Sequence, residues 1–155
     1  MDNTRTLKVG DIAPDFVLKD HHNHEFRLGE QKGKRVLLSF HPLAWTPVCG
    51  EQMKDIESQA AVFAGLNTMA VGLSVDSVPS KHAWAKSIGL KKTPLLSDFW
   101  PHGQVAHALG LFREEDGFSE RANVLIDEHG RVAFIKIYPI PERPALEEIL
   151  AVLKG

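Results

Sequence analysis

The chain has one cysteine in 155 residues. That count excludes an internal disulfide, and with no Cys-x-x-Cys it excludes a dithiol redox centre. No apolar stretch approaches the length needed to cross a bilayer. Neither sign of charge dominates: 18 Lys and Arg are interspersed with 20 Asp and Glu, leaving no basic patch for nucleic acid or an anionic membrane. Repeats, low-complexity tracts and linker-like breaks are missing as well. The start, Met1 to Arg5, is polar and carries no apolar signal region. With the single thiol, this makes a reducing, cytoplasmic setting the expectation. No Gly-x-Ser-x-Gly esterase elbow occurs. Asp20, His21, His22 and His24 fall together, but no cysteine or spaced carboxylate completes a ligand set. They read as a solvated turn, and no metal is expected.

What remains is an ordinary globular composition, 43% hydrophobic and 25% charged, enough for one domain over residues 1–155. Residues 1–9 read as a polar lead. Phe16–Leu18 and Glu25–Leu28 flank a polar turn and predict a hairpin. Val36 to Phe40 and Thr68 to Ser74 are apolar runs suited to strands covered on both faces. Met53, Ile56, Ala60 and Phe63 recur at helical spacing and predict a helix over 50–64. Ser77 and Pro79 announce a short helix over 82–88. Pro101 opens another through Leu109. Asn123–Ile126 and Val132–Tyr138 predict a hairpin turning at Gly130, and Leu146, Ile149, Leu150 and Leu153 a closing helix with Pro144 in its first turn. The order is strand, helix, strand, helix, hairpin, helix. The expected fold is α/β and thioredoxin-like: a central mixed β-sheet with helices on both faces.

The residues that carry chemistry sit between the strand Val36–Phe40 and the helix after it. Phe40-His41-Pro42-Leu43-Ala44-Trp45-Thr46-Pro47-Val48-Cys49 is a proline-braced loop that delivers the lone thiol to a helix N-terminus. Free N–H groups and the partial positive charge there favour a thiolate. Thr46 offers a hydroxyl to the sulfur. Pro42, lacking an N–H, offers its ring as a shield from water. Arg121, distant in sequence, precedes a strand that would bring its permanent charge to the loop. A lone cysteine is by default a small buried hydrophobe; the loop around this one argues otherwise.

Pro42, Thr46 and Cys49 together form Pro-x-x-x-Thr-x-x-Cys, the signature of the peroxiredoxins. Ser74-Val75-Asp76-Ser77 with Trp84 also resembles that family, as does Arg121. Pro94-Leu95-Leu96-Ser97-Asp98-Phe99-Trp100-Pro101-His102-Gly103 resembles its one-cysteine alkyl hydroperoxide reductase E branch. The resemblance implies a thiol peroxidase acting on hydrogen peroxide and organic hydroperoxides, with Cys49, Thr46, Arg121 and Pro42 as the catalytic set. It implies no cofactor, a homodimer or higher oligomer, and an outside reductant: a small thiol, a glutaredoxin-like protein or thioredoxin. Three positions depart from the usual pattern. Gln52 stands where a glutamate commonly holds the arginine, leaving that arginine's placement open. Trp45 replaces a phenylalanine. His41 precedes Pro42, where a tuning and a passive role are equally expected. Trp84, Trp100, His102 and His107 read as packing, structural or surface residues. Two rival functions use the same chain: a peroxide sensor whose oxidised Cys49 is read by a partner, and a non-catalytic thioredoxin-fold binding module.

Overall fold

A computed structural model describes residues 5–155; the first four residues of the polar lead lie outside it. The elements are β1 (Val17–Asp20), β2 (Glu25–Arg27), β3 (Arg35–Phe40), α1 (Pro47–Ser58), α2 (Ala60–Gly65), β4 (Thr68–Ser74) and α3 (Val78–Ile88). They continue with β5 (Leu95–Ser97), α4 (Gln104–Ala108), β6 (Phe112–Arg113), β7 (Phe118–Ser119), β8 (Arg121–Ile126), β9 (Val132–Tyr138) and α5 (Leu146–Lys154). Seven strands form one mixed sheet in the order β2-β1-β5-β4-β3-β8-β9, and β6 and β7 make a separate small ribbon. Strands β3, β4 and β5 run parallel; β8 joins β3 antiparallel and β9 follows as its hairpin partner. This is the expected thioredoxin-like arrangement.

The sheet has a core on each face, because alternate residues of a strand point to opposite sides. Val36, Leu38 and Phe40 of β3 meet Val124 and Ile126 of β8 on one face, under Val105 and Leu109. Leu37 and Leu125 face the other way, into a core with Met53, Ile56, Phe63, Trp84, Ile149 and Leu153. Cys49 belongs to that second core. On its face the alternation turns polar toward one end. Leu37 gives way to Ser39 and then His41, and Leu125 to Asn123 and then Arg121. Leu37 pairs with Leu125 and Ser39 with Asn123 across the strands. All four polar residues are buried. The register of two central strands therefore builds a polar floor under the loop after β3.

Several boundaries differ from the sequence expectations. The helix expected over 50–64 begins at Pro47 and breaks at Gln59, where ψ is 12°, so Cys49 lies inside the first turn rather than at its edge. Helix α3 begins at Val78, not at residue 82: Ser77 accepts the Ser80 N–H and Pro79 lies in the first turn. Pro101 does not open α4, which starts three residues later. There Asp98 accepts the Val105 and Ala106 N–H groups, each at 3.0 Å. Pro144 precedes α5 rather than lying in its first turn. Strand β5 and the β6–β7 ribbon were not expected; at two or three residues each they show no usable periodicity.

The polar turn between β1 and β2 is not wholly solvated, because His21 is buried and its Nδ1 accepts the Leu95 N–H at 3.1 Å. His82 Nδ1 lies 2.9 Å from the His21 carbonyl. Among the described residues no cluster of three or more His, Cys, Asp or Glu is arranged to hold a metal ion. Trp100, expected to pack, is 80% exposed. His102 sits 2.7 Å from the Gly117 carbonyl, and His107 stacks on Phe112.

Helix α1 is tied at its far end to the segment before β5. Glu57 accepts the Thr93 hydroxyl at 2.8 Å and the N–H groups of Lys91, Lys92 and Thr93 at 3.0–3.1 Å. Burial pushes this carboxyl up, but the Thr93 hydroxyl and the three N–H donors outweigh it and leave it below its ordinary 4.5. A carboxyl lowered on folding contributes stability above its unfolded value, and that contribution is lost as pH falls through the folded value. Glu57→Gln should therefore destabilise the protein by about 1 kcal/mol at neutral pH, the partly open site reducing the effect. Thermal unfolding should show a midpoint roughly 2–4 °C lower, with the gap closing in acid. An equal gap at all pH values would remove the charge from the account.

Candidate active site

Cys49 is 1% exposed and occupies the first turn of α1, which opens with Pro47 after Thr46 in extended backbone. Pro47 suits that position because its fixed φ fits a helix start and its missing N–H is not needed there. The first N–H groups of a helix have no partner within it, and they give this end of α1 a partial positive charge.

The decisive contact comes from β8. Arg121 Nη1 lies 3.4 Å from Cys49 Sγ and donates to Gln52 Oε1 at 2.8 Å. Its Nε donates to the Ile140 carbonyl at 2.8 Å. One nitrogen thus directs its two hydrogens at the sulfur and at Gln52, while the other end of the fork is fixed by backbone. Gln52 in turn donates from Nε2 to Ser39 Oγ at 2.7 Å and to the Phe40 carbonyl at 3.1 Å. Ser39 Oγ donates to Asn123 Oδ1 at 2.7 Å. The residue at 52 must accept from a guanidinium and donate to a carbonyl, and a side-chain amide does both. A carboxylate in this geometry would face the Phe40 oxygen with another acceptor. Gln52 accepts from Arg121 by a hydrogen bond without charge.

Pro42 is buried and Thr46 half-buried beside the cysteine. Thr46 Oγ1 donates to the Leu43 carbonyl at 2.8 Å. Its hydrogen is directed back along the loop, not at the sulfur as expected. Trp45 is 55% exposed with φ at 70°, a left-handed backbone that strains a bulky side chain. Two bonds hold it there. Asp76 Oδ2 accepts the Ala44 N–H at 2.8 Å, and Trp45 Nε1 donates to Ser80 Oγ at 3.0 Å.

His41 is fully buried against Trp84, with ring centroids 5.3 Å apart. Its Nε2 lies 3.4 Å from Lys81 Nζ. Among the described residues Nδ1 has no partner in hydrogen-bonding geometry. Burial, with the Lys81 and Arg121 charges, holds the imidazole well below its ordinary value. Lys81, in the first turn of α3, was missed by sequence reasoning. Its burial is the largest influence on it and pushes the ammonium down to about 7, against the opposing pull of Asp76, Cys49 and Asp98.

A lone thiol in a helix's first turn, under a fixed guanidinium on a thioredoxin-like sheet, is the arrangement of a thiol peroxidase. The chain belongs to the AhpC/TSA family, whose model matches residues 9–135. It is 37% identical over 132 residues to alkyl hydroperoxide reductase E of Mycobacterium tuberculosis, covering 84% of this chain and 86% of that protein. It is 30% identical over 157 residues to peroxiredoxin-1 of Gallus gallus, covering 95% and 78%. Its structure is similar to the crystal structure of the reduced 2-Cys peroxiredoxin of Plasmodium vivax, with a TM-score of 0.88, 30% identity and coverage of 96% and 81%.

The bridge at position 52 can be tested by stability. Gln52→Leu keeps the volume, but it leaves Ser39, the Phe40 carbonyl and Arg121 short of a buried partner. Each unsatisfied group carries a penalty, and the total should be about 2–4 kcal/mol. Urea unfolding should show a lower midpoint at unchanged slope. A midpoint equal to that of the unaltered protein would mean the bridge contributes nothing.

Proposed function

We propose that this protein reduces hydrogen peroxide and organic hydroperoxides through Cys49, and that a thiol supplied from outside regenerates it. The observation that carries this reading is the 3.4 Å approach of Arg121 Nη1 to Cys49 Sγ. The thiolate attacks the terminal oxygen of the peroxide. A sulfur–oxygen bond forms, the oxygen–oxygen bond breaks, and the sulfur's electron pair reduces the peroxide. Hydroxide or alkoxide departs and takes a proton, leaving Cys49 as sulfenic acid. Charge moves from sulfur to the leaving oxygen, so fixed donors on both sides lower the barrier. Arg121 and the first-turn N–H groups of α1 are those donors, with Pro42 closing the site and Thr46 holding the loop. One outside thiol then condenses with the sulfenic acid, releasing water, and a second reduces the mixed disulfide.

The whole chain acts as one domain in this reading, since both cores share a single sheet. A reducing compartment such as the cytoplasm suits an enzyme that must be regenerated by thiols. Among the described residues no helix is long and apolar enough to cross a membrane. Leu43 and Trp45 on the active loop, and Phe99 and Trp100 after β5, leave large apolar side chains exposed, which supports a homodimer.

Cys49→Ser should abolish peroxide consumption in stopped flow, and one equivalent of peroxide should give the unaltered protein a sulfenic acid that dimedone traps. Arg121→Ala should slow the second-order rate by roughly a hundredfold to a thousandfold, with only partial recovery at high pH. Arg121→Lys should restore part of the loss, because an ammonium lacks the planar fork. Consumption at the original rate by Cys49→Ser would end this reading. Full recovery of Arg121→Ala at high pH would confine Arg121 to the thiolate and remove it from the transition state.

A further inference from the structure

Strand β3 runs from Arg35 to Phe40 and leads into the active loop. Its other end, with the end of β8 beside it, carries a cavity of about 380 Å³. The walls come from residues 12–15, 28–34 and 126–130. Backbone bonds fix these segments to one another. The Ala13 N–H donates to the Gly130 carbonyl at 2.9 Å, and the Gly33 N–H to the Glu128 carbonyl at 3.0 Å. Asp15 Oδ1 accepts the Gly29 N–H at 2.7 Å. A Cβ on Gly29 would stand 3.0 Å from both Asp15 carboxylate oxygens, so glycine permits this approach. The floor is apolar: Val36 and Ile126 pair across the two strands and, with Leu28, are buried. Ile12 also lines the cavity and is exposed.

The charged groups around this floor differ in what they are free to bind. Lys32 and Lys34 line the cavity and are exposed. Among the described residues neither ammonium has a hydrogen-bond or ion-pair partner. Lys32 lies against the Gly130 turn, its Cε 3.8 Å from where a Cβ on Gly130 would stand. The carboxylates beside them are already bonded. Asp15 is engaged at both oxygens, by the Phe16 and Gly29 N–H groups and by Arg27 Nη1. Asp127 Oδ1 accepts the His129 and Arg131 N–H groups at 2.9 and 3.0 Å. We propose that this cavity binds a small amphipathic carboxylate, its tail over Leu28, Val36 and Ile126 and its charge between Lys32 and Lys34. Ligand pockets span roughly 300–1,000 Å³, and this one is near the lower end, which suits an aliphatic acid of about six to eight carbons. The two free ammonium groups select an anion over an amine. The floor selects an anion with a tail, since an inorganic ion would leave the apolar surface in water. The site stands apart from the chemistry at Cys49 and does not depend on it.

The test follows the methyl groups of Ile12, Leu28, Val36 and Ile126 by carbon–proton NMR in the unaltered protein. Octanoate and octylammonium, alike in chain length and opposite in charge, are titrated in turn. Octanoate should shift these methyls to saturation, while those of Leu37 and Leu125, on the other face of the sheet, stay in place. Octylammonium should bind roughly tenfold more weakly. Each methylene removed between octanoate and hexanoate should weaken binding roughly twofold to fourfold. Replacing both lysines, Lys32→Gln with Lys34→Gln, should weaken octanoate roughly tenfold and leave octylammonium no weaker. Both lysines are exposed, so this variant keeps the fold's two cores intact. Equal binding of the two amphiphiles overturns the proposal, and so does an octanoate affinity unchanged in the double variant. Shifts that never saturate, or that spread evenly over the molecule, overturn it as well. The same methyls shifting when protein concentration alone is raised would seat a second copy in the cavity, which also overturns it.

Discussion

Arg121 Nη1 carries two hydrogens, and the site is organised by where they go. One reaches Cys49 and the other Gln52. A guanidinium is long and mobile in solution, so pointing it at a buried sulfur requires every other direction to be closed. The Ile140 carbonyl closes one. Gln52 closes the next, and its amide is itself fixed by Ser39 and the Phe40 carbonyl. Ser39 is fixed by Asn123, its cross-strand partner. The chain of bonds therefore ends in sheet register, which cannot slip by one residue without turning these polar groups to the wrong face. Rigidity at the sulfur is inherited from the pairing of β3 with β8.

The loop above this floor is held differently. Trp45 has a left-handed backbone that a bulky residue adopts at a cost of order 1–3 kcal/mol. The bonds that offset it come from the segment around the start of α3: Asp76 to Ala44 and Ser80 to Trp45. Lys81, the next residue along, reaches the histidine at the loop's base. One helix end thus fixes the shape of the loop and places a charge beneath it.

Much of this was legible in the chain. The apolar runs of β3 and β4 and the hairpin of β8 and β9 are long enough for their pattern to stand out; the loop motif marked Pro42, Thr46 and Cys49, and the family resemblance marked Arg121. The network was less visible. Ser39, Asn123 and Gln52 are ordinary polar residues, and only the alternation along two paired strands marks them: Leu37, Ser39, His41 against Leu125, Asn123, Arg121. Reading that signal requires knowing that the strands are neighbours. Lys81 was hidden for a different reason. Lysine is almost never fully buried, so nothing in composition flags one that is. Thr46 shows a third limit. Its proximity to the cysteine was readable, but the direction of a hydroxyl hydrogen depends on the nearest carbonyl, and in this loop that is Leu43.

Gly72 lies in the middle of β4, where a side chain would ordinarily strengthen the strand. Its φ is not among the positive values, so conformational freedom is not the reason for it. A Cβ at this position would stand 2.5 Å from Met53 Sδ, 2.9 Å from Leu95 Cδ2 and 3.2 Å from His41 Cε1. Three side chains, from α1, β5 and the active loop, close over the space that residue 72 leaves empty. They are locked into a shared volume: the thioether packs one turn beyond the reactive sulfur, and the imidazole is the one beside Lys81. Position 72 can grow only if another of these shrinks. Drift in the active-site histidine is thus tied sterically to a methionine and a leucine that take no part in the chemistry, and substitutions at the four sites should travel together through related sequences.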